Sequence, residues 1–248
     1  MQYLPAPRPR ERGCAWSEET CARAAKGGHL EVLQWAREYG CAWNEATCSE
    51  AAKGGHLAVL QWARQHHCPW NDRVCVHAAD GGHLAVLRWA EDNGGPWNGS
   101  EVCSHAAEGG HLETLKWLRE HESPPFDEET CAGAAQGGHL EVLKWLRMRE
   151  QDCPWGPSSV RELALRGDME MMRWALQHGC PTYGGSGMYG PGDLCHMIAQ
   201  HGDLEMLKCV VELGCPMDEA VGSLRISTRL TLNILLLICT ARLYAHSP

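Results

Sequence analysis

Residues 48–63 read CSEAAKGGHLAVLQWA, and the centre of that string returns along the chain. Gly-Gly-His-Leu occurs five times, with its histidines at His29, His56, His83, His111 and His139. The steps between them are 27, 27, 28 and 28 residues, and a tryptophan follows each six residues later, at Trp35, Trp62, Trp89, Trp117 and Trp145. A fixed period of this length marks stacked copies of one supersecondary unit. Two weaker copies follow: Gly167-Asp168 with Trp174, and Gly202-Asp203 with Cys209 in the tryptophan position. The array runs over residues 13–217 in seven units, between a Pro/Arg leader at 1–12 and a divergent segment at 218–248 that is either a tail or a capping helix. A solenoid of this kind presents a surface and does not enclose a cavity.

One unit shows why the pattern folds as a helix pair. Asn44 is a good N-cap, and Glu45 puts a negative charge at the positive end of the helix dipole. Cys48, Ala51 and Ala52 fall on one face of the helix that follows, helix A. These side chains are small, so neighbouring helices can approach closely. Trp43 and Cys48 are spaced as a hydrophobic staple. Gly54 suits the left-handed residue that ends a helix. His56 opens helix B, and the replacements Asp168 and Asp203 give that position a capping role. Leu57, Val59, Leu60, Trp62 and Ala63 form its apolar face, so Trp62 is expected in the core, and its truncation is expected to cost about 3–5 kcal/mol. Gly40-Cys41, Gly179-Cys180 and Gly214-Cys215 supply the Gly at C′ and an apolar residue after it.

The string A-A-x-G-G-H-L-x-V-L-x-W, closed by Gly-Cys, resembles the ankyrin repeat. Ala51, Ala52, Gly55 and His56 match its A-A-x-x-G-H; Val59 and Leu60 take its V-V pair, Trp62 and Ala63 its L-L pair. The likeness covers about 205 of the 248 residues. The T-P-L-H motif of that family is absent, and the period falls short of its roughly 33 residues. The missing residues lie between helix B and the next helix A, where the family builds projecting hairpins. The resemblance implies an all-α, ankyrin-like solenoid of about seven helix-turn-helix repeats with reduced or absent β-hairpin fingers. Only the last step, with residues 182–193, has room for a finger.

Composition narrows function. The net charge is −9 and the isoelectric point about 5.8. No basic stripe is present to engage phosphates, so nucleic acid is not expected as a partner. Arg8, Arg10 and Arg12 read as a solvated leader. The N-terminus lacks the apolar core of a secretory signal. The longest apolar run, 230–241, would span about 18 Å as a helix, short of the roughly 30 Å of a bilayer core, so no membrane association is expected. Cytoplasmic localisation, with the nucleus as the other possibility, follows as an expectation. Nearly all of the fourteen cysteines have packing positions at the staple or after the C-cap, where free Cys acts as a small hydrophobe. No C-x2-C occurs, and the C-x6-C spacings are longer than structural zinc sites use. Neither metal nor cofactor is expected.

Binding residues are sought where repeats differ, since scaffold positions recur. Two residues after the helix A cysteine position stand Arg23, Glu50, His77, His105, Gly133, Glu162 and Met197. Two residues before it stand Glu19, Ala46, Arg73, Glu101, Glu129, Ser158 and Asp193. The two positions lie four apart and share a helical face. The resemblance implies binding through that face. Arg23, Glu50, Arg73, His77, His105, Glu162 and Met197 are the candidate protein-binding residues, against the plainer possibility that they are simply solvated. The Gly-x-Gly-x-x-Gly at 185–190 lacks the strand that a nucleotide site needs and reads as an inter-repeat loop. No nucleophile is paired with a base and an orienting acid, as covalent catalysis requires. The sequence therefore indicates a monomeric, non-catalytic interaction module with an unidentified protein partner. The alternative is a Cys/His metal-binding or redox-responsive repeat protein.

Overall fold

The computed structural model describes residues 16–121, 126–148, 153–181 and 193–215. The leader at 1–12, the Gly-rich loop at 185–190 and the segment at 218–248 lie outside them. Among the described residues there are fourteen helices and no strand. The chain divides into two compact units, at 1–125 and 126–248.

The first unit holds four helix pairs: α1 (Glu18–Lys26) with α2 (Leu30–Glu38), α3 (Glu45–Lys53) with α4 (Leu57–Gln65), α5 (Arg73–Asp80) with α6 (Leu84–Asp92), and α7 (Gly99–Glu108) with α8 (Leu112–His121). The second holds α9 (Glu128–Gly137) with α10 (Leu140–Met148), α11 (Pro157–Arg166) with α12 (Met169–Gln177), and α13 (Asp193–His201) with α14 (Leu204–Glu212). Odd-numbered helices are helix A of each repeat and even-numbered ones helix B. In the first unit α1, α3, α5 and α7 pack side by side in a row. Short turns without strands join helix B to the next helix A in the described connections, as the shortened period anticipates.

Small residues make the row possible. Ala25, Ala52, Ala79 and Ala107 are fully buried, as are Cys21, Cys48, Cys75 and Cys103. Helix B adds the larger side chains Leu33, Leu60, Leu87 and Leu115, each fully inaccessible. All but one of the helix B tryptophans sit further out than expected, Trp117 alone being buried. Trp62 is only half-buried, set edge-on to Trp43 at 5.7 Å and against His66 at 4.4 Å. The core of helix B is the leucine, and the tryptophans other than the buried Trp117 form a second layer at the rim. Trp43 therefore meets Trp62 of the next helix, and the staple partner Cys48 turns inward.

The Gly-Gly-His motif departs from expectation at two residues. Gly54 is right-handed (φ −83°), and the second glycine, Gly55, takes the left-handed turn at φ 73°. Gly54 is needed for space, because a Cβ there would lie 2.5 Å from both His56 Cδ2 and the Lys26 carbonyl oxygen. His56 stands at the N-cap position of α4 but its ring makes no cap bond. Instead Nε2 donates to the carbonyl of Lys26, the last residue of the preceding helix A, at 2.9 Å. His83 reaches Lys53 in the same way at 3.1 Å, and His111 reaches Asp80 at 2.8 Å. A carbonyl only accepts, so each ring carries its proton on Nε2. Each of these links ties one repeat to the next, satisfying an orphan carbonyl at a helix end.

Where aspartate replaces histidine, the work divides. Asp168 and Asp203 do cap their helices, accepting from Met171 N at 3.0 Å and Met206 N at 2.9 Å. Arg166, two residues before Asp168, then reaches back to the Gln136 carbonyl at 2.8 Å. That is the bond histidine makes elsewhere. The other ends follow the sequence closely. Asn44 accepts from Ala46 N at 3.0 Å, and Gly40, Gly94, Gly179 and Gly214 end their helices at positive φ. His67 occupies that place in the second repeat at φ 62°, the one non-glycine there among the described residues.

Candidate interaction surface

The row of A helices in the first unit carries five of the seven candidate residues: Arg23, Glu50, Arg73, His77 and His105. Glu162 and Met197 lie on α11 and α13 of the second unit. Arg23 and Arg73 are exposed, and the other five are half-buried. The reason lies in the spacing of the row: helices that touch through alanine bring the flanking side chains of adjacent repeats into contact.

Glu50 carries this inter-repeat role most clearly. Its carboxylate lies 3.3 Å from Lys26 Nζ on the neighbouring helix, with its side chain 27% exposed. His77 Nδ1 donates to the Ser49 carbonyl of the preceding A helix at 3.1 Å. His105 Nδ1 is 3.5 Å from Glu108 one turn on. Arg23 pairs with Glu19 within α1 at 2.7 Å. That carboxylate holds the Arg23 guanidinium above its ordinary pKa. A hollow lined by Glu19, Ala22, Arg23, Lys26, Ala46 and Glu50 lies between α1 and α3. It is rimmed by charges of both signs and floored by alanine. A second hollow, lined among others by Ser17, Glu18, Ala42 and Asn44, lies beside the start of the same two helices. In the second unit Ser158 and Glu129, also at drifting positions, meet at 3.4 Å across adjacent A helices.

Lys26 is a participant that repeat comparison missed. It falls one residue before Gly-Gly, where Lys53, Asp80, Glu108 and Gln136 vary as widely as the chosen positions. That variation was a usable signal.

The B side offers different chemistry. Arg37 lies over Trp43 at 4.0 Å, Arg64 over Trp70 at 4.3 Å and Arg147 over Trp155 at 5.0 Å. Each of these guanidinium groups also donates to the carbonyl of the cysteine after the helix end: Cys41, Cys68 and Cys153. These groups are committed to holding the connections between repeats. Among the described residues no three His, Cys, Asp or Glu side chains gather as metal ligands would. Among the same residues no helix is long and apolar enough to cross a membrane.

No family model matches the sequence, and no curated protein matches it. Among solved structures, the human ASB11 ankyrin repeat domain is similar to 80% of this chain and 99% of that one, with a TM-score of 0.58 and 15% identity. The likeness establishes the fold: the chain is an all-α array of the ankyrin-repeat kind.

Proposed function

We propose that this chain is a non-catalytic protein-interaction module that binds a partner protein through the A-helix face. The observation that carries this reading is the contrast between its two sides. On the A side, the residues that differ from repeat to repeat line shallow, mixed-charge hollows. On the B side, the recurring Arg and Trp side chains are used to join repeats. A partner would read the varied side, while the constant side holds the array together. Ankyrin-type arrays are interaction scaffolds, and the fold supports this use without naming the partner. A cytoplasmic or nuclear setting and a monomeric state fit the same reading.

The test is capture of partners by the full chain, compared across variants by quantitative mass spectrometry. Arg23→Glu with Arg73→Glu changes exposed A-face charges outside the inter-repeat bonds of Glu50 and His77. Ala58→Glu with Ala85→Glu places two glutamates at exposed positions of α4 and α6. Exposed substitutions shift stability by only about ±0.5 kcal/mol, so both pairs should keep the wild-type helical signal. The A-face pair should lose partners that the B-face pair retains. Loss from the B-face pair alone would place binding on the other side.

A further inference from the structure

Twelve cysteines among the described residues are buried and carry no disulfide. Their arrangement follows a rule that packing alone does not require. In the first repeat burial and the neighbouring Cys41, which follows α2, push the Cys21 thiol of α1 up to about 12. In the second, the neighbouring Cys48 of α3, together with burial, raises the Cys68 thiol after α4. In the fifth, Cys131 of α9 and Cys153 after α10 lie with their Sγ atoms 2.6 Å apart. Each pair joins helix A to the chain leaving helix B of the same repeat. Each exit cysteine is also fixed from a second side, its thiol donating to the residue that precedes helix A. Cys41 reaches the Ser17 carbonyl at 3.3 Å, Cys68 that of Asn44 at 3.5 Å and Cys153 that of Asp127 at 3.1 Å.

Three repeats, the third, fourth and sixth, break the rule, and two of them serve as internal controls. The third has Cys75 on α5 but Gly95 at the exit position. The sixth has Cys180 at the exit but Val160 on α11. Gly95 and Val160 fill these places without a thiol, so the pairs are not forced by packing.

We propose that the Cys21–Cys41, Cys48–Cys68 and Cys131–Cys153 pairs are sites of intramolecular oxidation by a low-molecular-weight disulfide, each forming a bridge that locks one repeat. In the first step a thiolate of the pair attacks one sulfur of the small disulfide. That S–S bond breaks, and one small thiolate leaves and takes up a proton. The neighbouring protein thiol then gives its proton to solvent and attacks the mixed disulfide, expelling the second small thiolate. Two protein thiols are oxidised and one small disulfide is reduced to two thiols. A disulfide needs its two Cβ atoms about 3.5–4.5 Å apart, a spacing compatible with touching thiols. The bond that Cys131 donates to Cys153, together with burial, holds the Cys131 thiol protonated above the ordinary range. Attack is therefore slow and follows local opening of the repeat.

The proposal rests on the fold and not on the interaction reading, so failure of one leaves the other standing. The test treats the full reduced chain with oxidised glutathione and maps cysteines by mass spectrometry after alkylation. Each bridge should lower the mass by about 2 Da without a retained glutathione, and the cross-linked peptides should pair cysteines 20 to 22 residues apart within one repeat. Cys75 should be recovered as a thiol or a glutathione adduct. Cys153→Ser should remove only the Cys131 bridge, and circular dichroism shows whether that variant folds. The wild-type map stands even if it does not. Pairing between repeats, adducts on all cysteines without bridges, or complete resistance over days would overturn the proposal.

Discussion

At the scale of single residues, the chain is organised by what passes between repeats. The His56 ring occupies the space that Gly54 leaves and donates to the Lys26 carbonyl. Gly54→Ala should therefore destabilise the chain more than His56→Ala, since its Cβ meets backbone that cannot swing aside. Chemical denaturation of the two variants compares them directly. His67 sits in a left-handed turn that glycine fills elsewhere, and such a conformation costs an ordinary residue about 1–2 kcal/mol. His67→Gly should raise stability by about 1 kcal/mol, seen as a higher denaturation midpoint with an unchanged slope. Burial raises the Cys75 thiol from 9.0 to about 12. Because the folded pKa is raised, the unfolded chain loses this proton first. Cys75 then contributes fully below about pH 9, and its contribution fades as the pH climbs towards 12. A shift of this size is worth up to about 4 kcal/mol. Cys75→Ala should flatten the alkaline fall in stability, and an unchanged slope between pH 9 and 11 would count against the assignment.

At the scale of helices, the sequence reveals more about element positions than about side-chain roles. Period, caps and terminators place the described helices because each depends on neighbours within one turn. Asn44 and Asp168 cap where their spacing says they should. The tryptophans mislead because periodicity reports a face and not a depth. Trp62 and Leu60 share the apolar side of α4, yet only Leu60 is fully buried. Leu60→Ala should cost about 2–5 kcal/mol, as buried leucines do, and Trp62→Ala less, measured in one denaturation series. The histidine bonds to the preceding repeat are 30 or 31 residues long in sequence. No local pattern encodes them, and the identical place of Asp168 suggested a cap instead. Arg166 shows how the bond survives that replacement. Arg166→Ala should loosen α9 against α11, seen as faster amide exchange at the end of α9.

At the scale of the molecule, each of the two compact units is a row of A helices beside a set of B helices. Repeat arrays hold together through nearest neighbours, so damage to one junction should soften its own unit before the other. The drifting positions on the A helices were legible as a face in the sequence. Their partial burial was not, because it depends on how closely alanine-lined helices approach. Glu50 and His77 thus join repeats as well as lining the candidate surface, while Arg23 and Arg73 remain exposed. The central claim is that a partner reads this face. Amide hydrogen exchange of the chain with a captured partner bound tests it most directly. The expected footprint is protection along α1, α3, α5 and α7, with α2, α4 and α6 unchanged. Protection confined to the B helices would contradict the account.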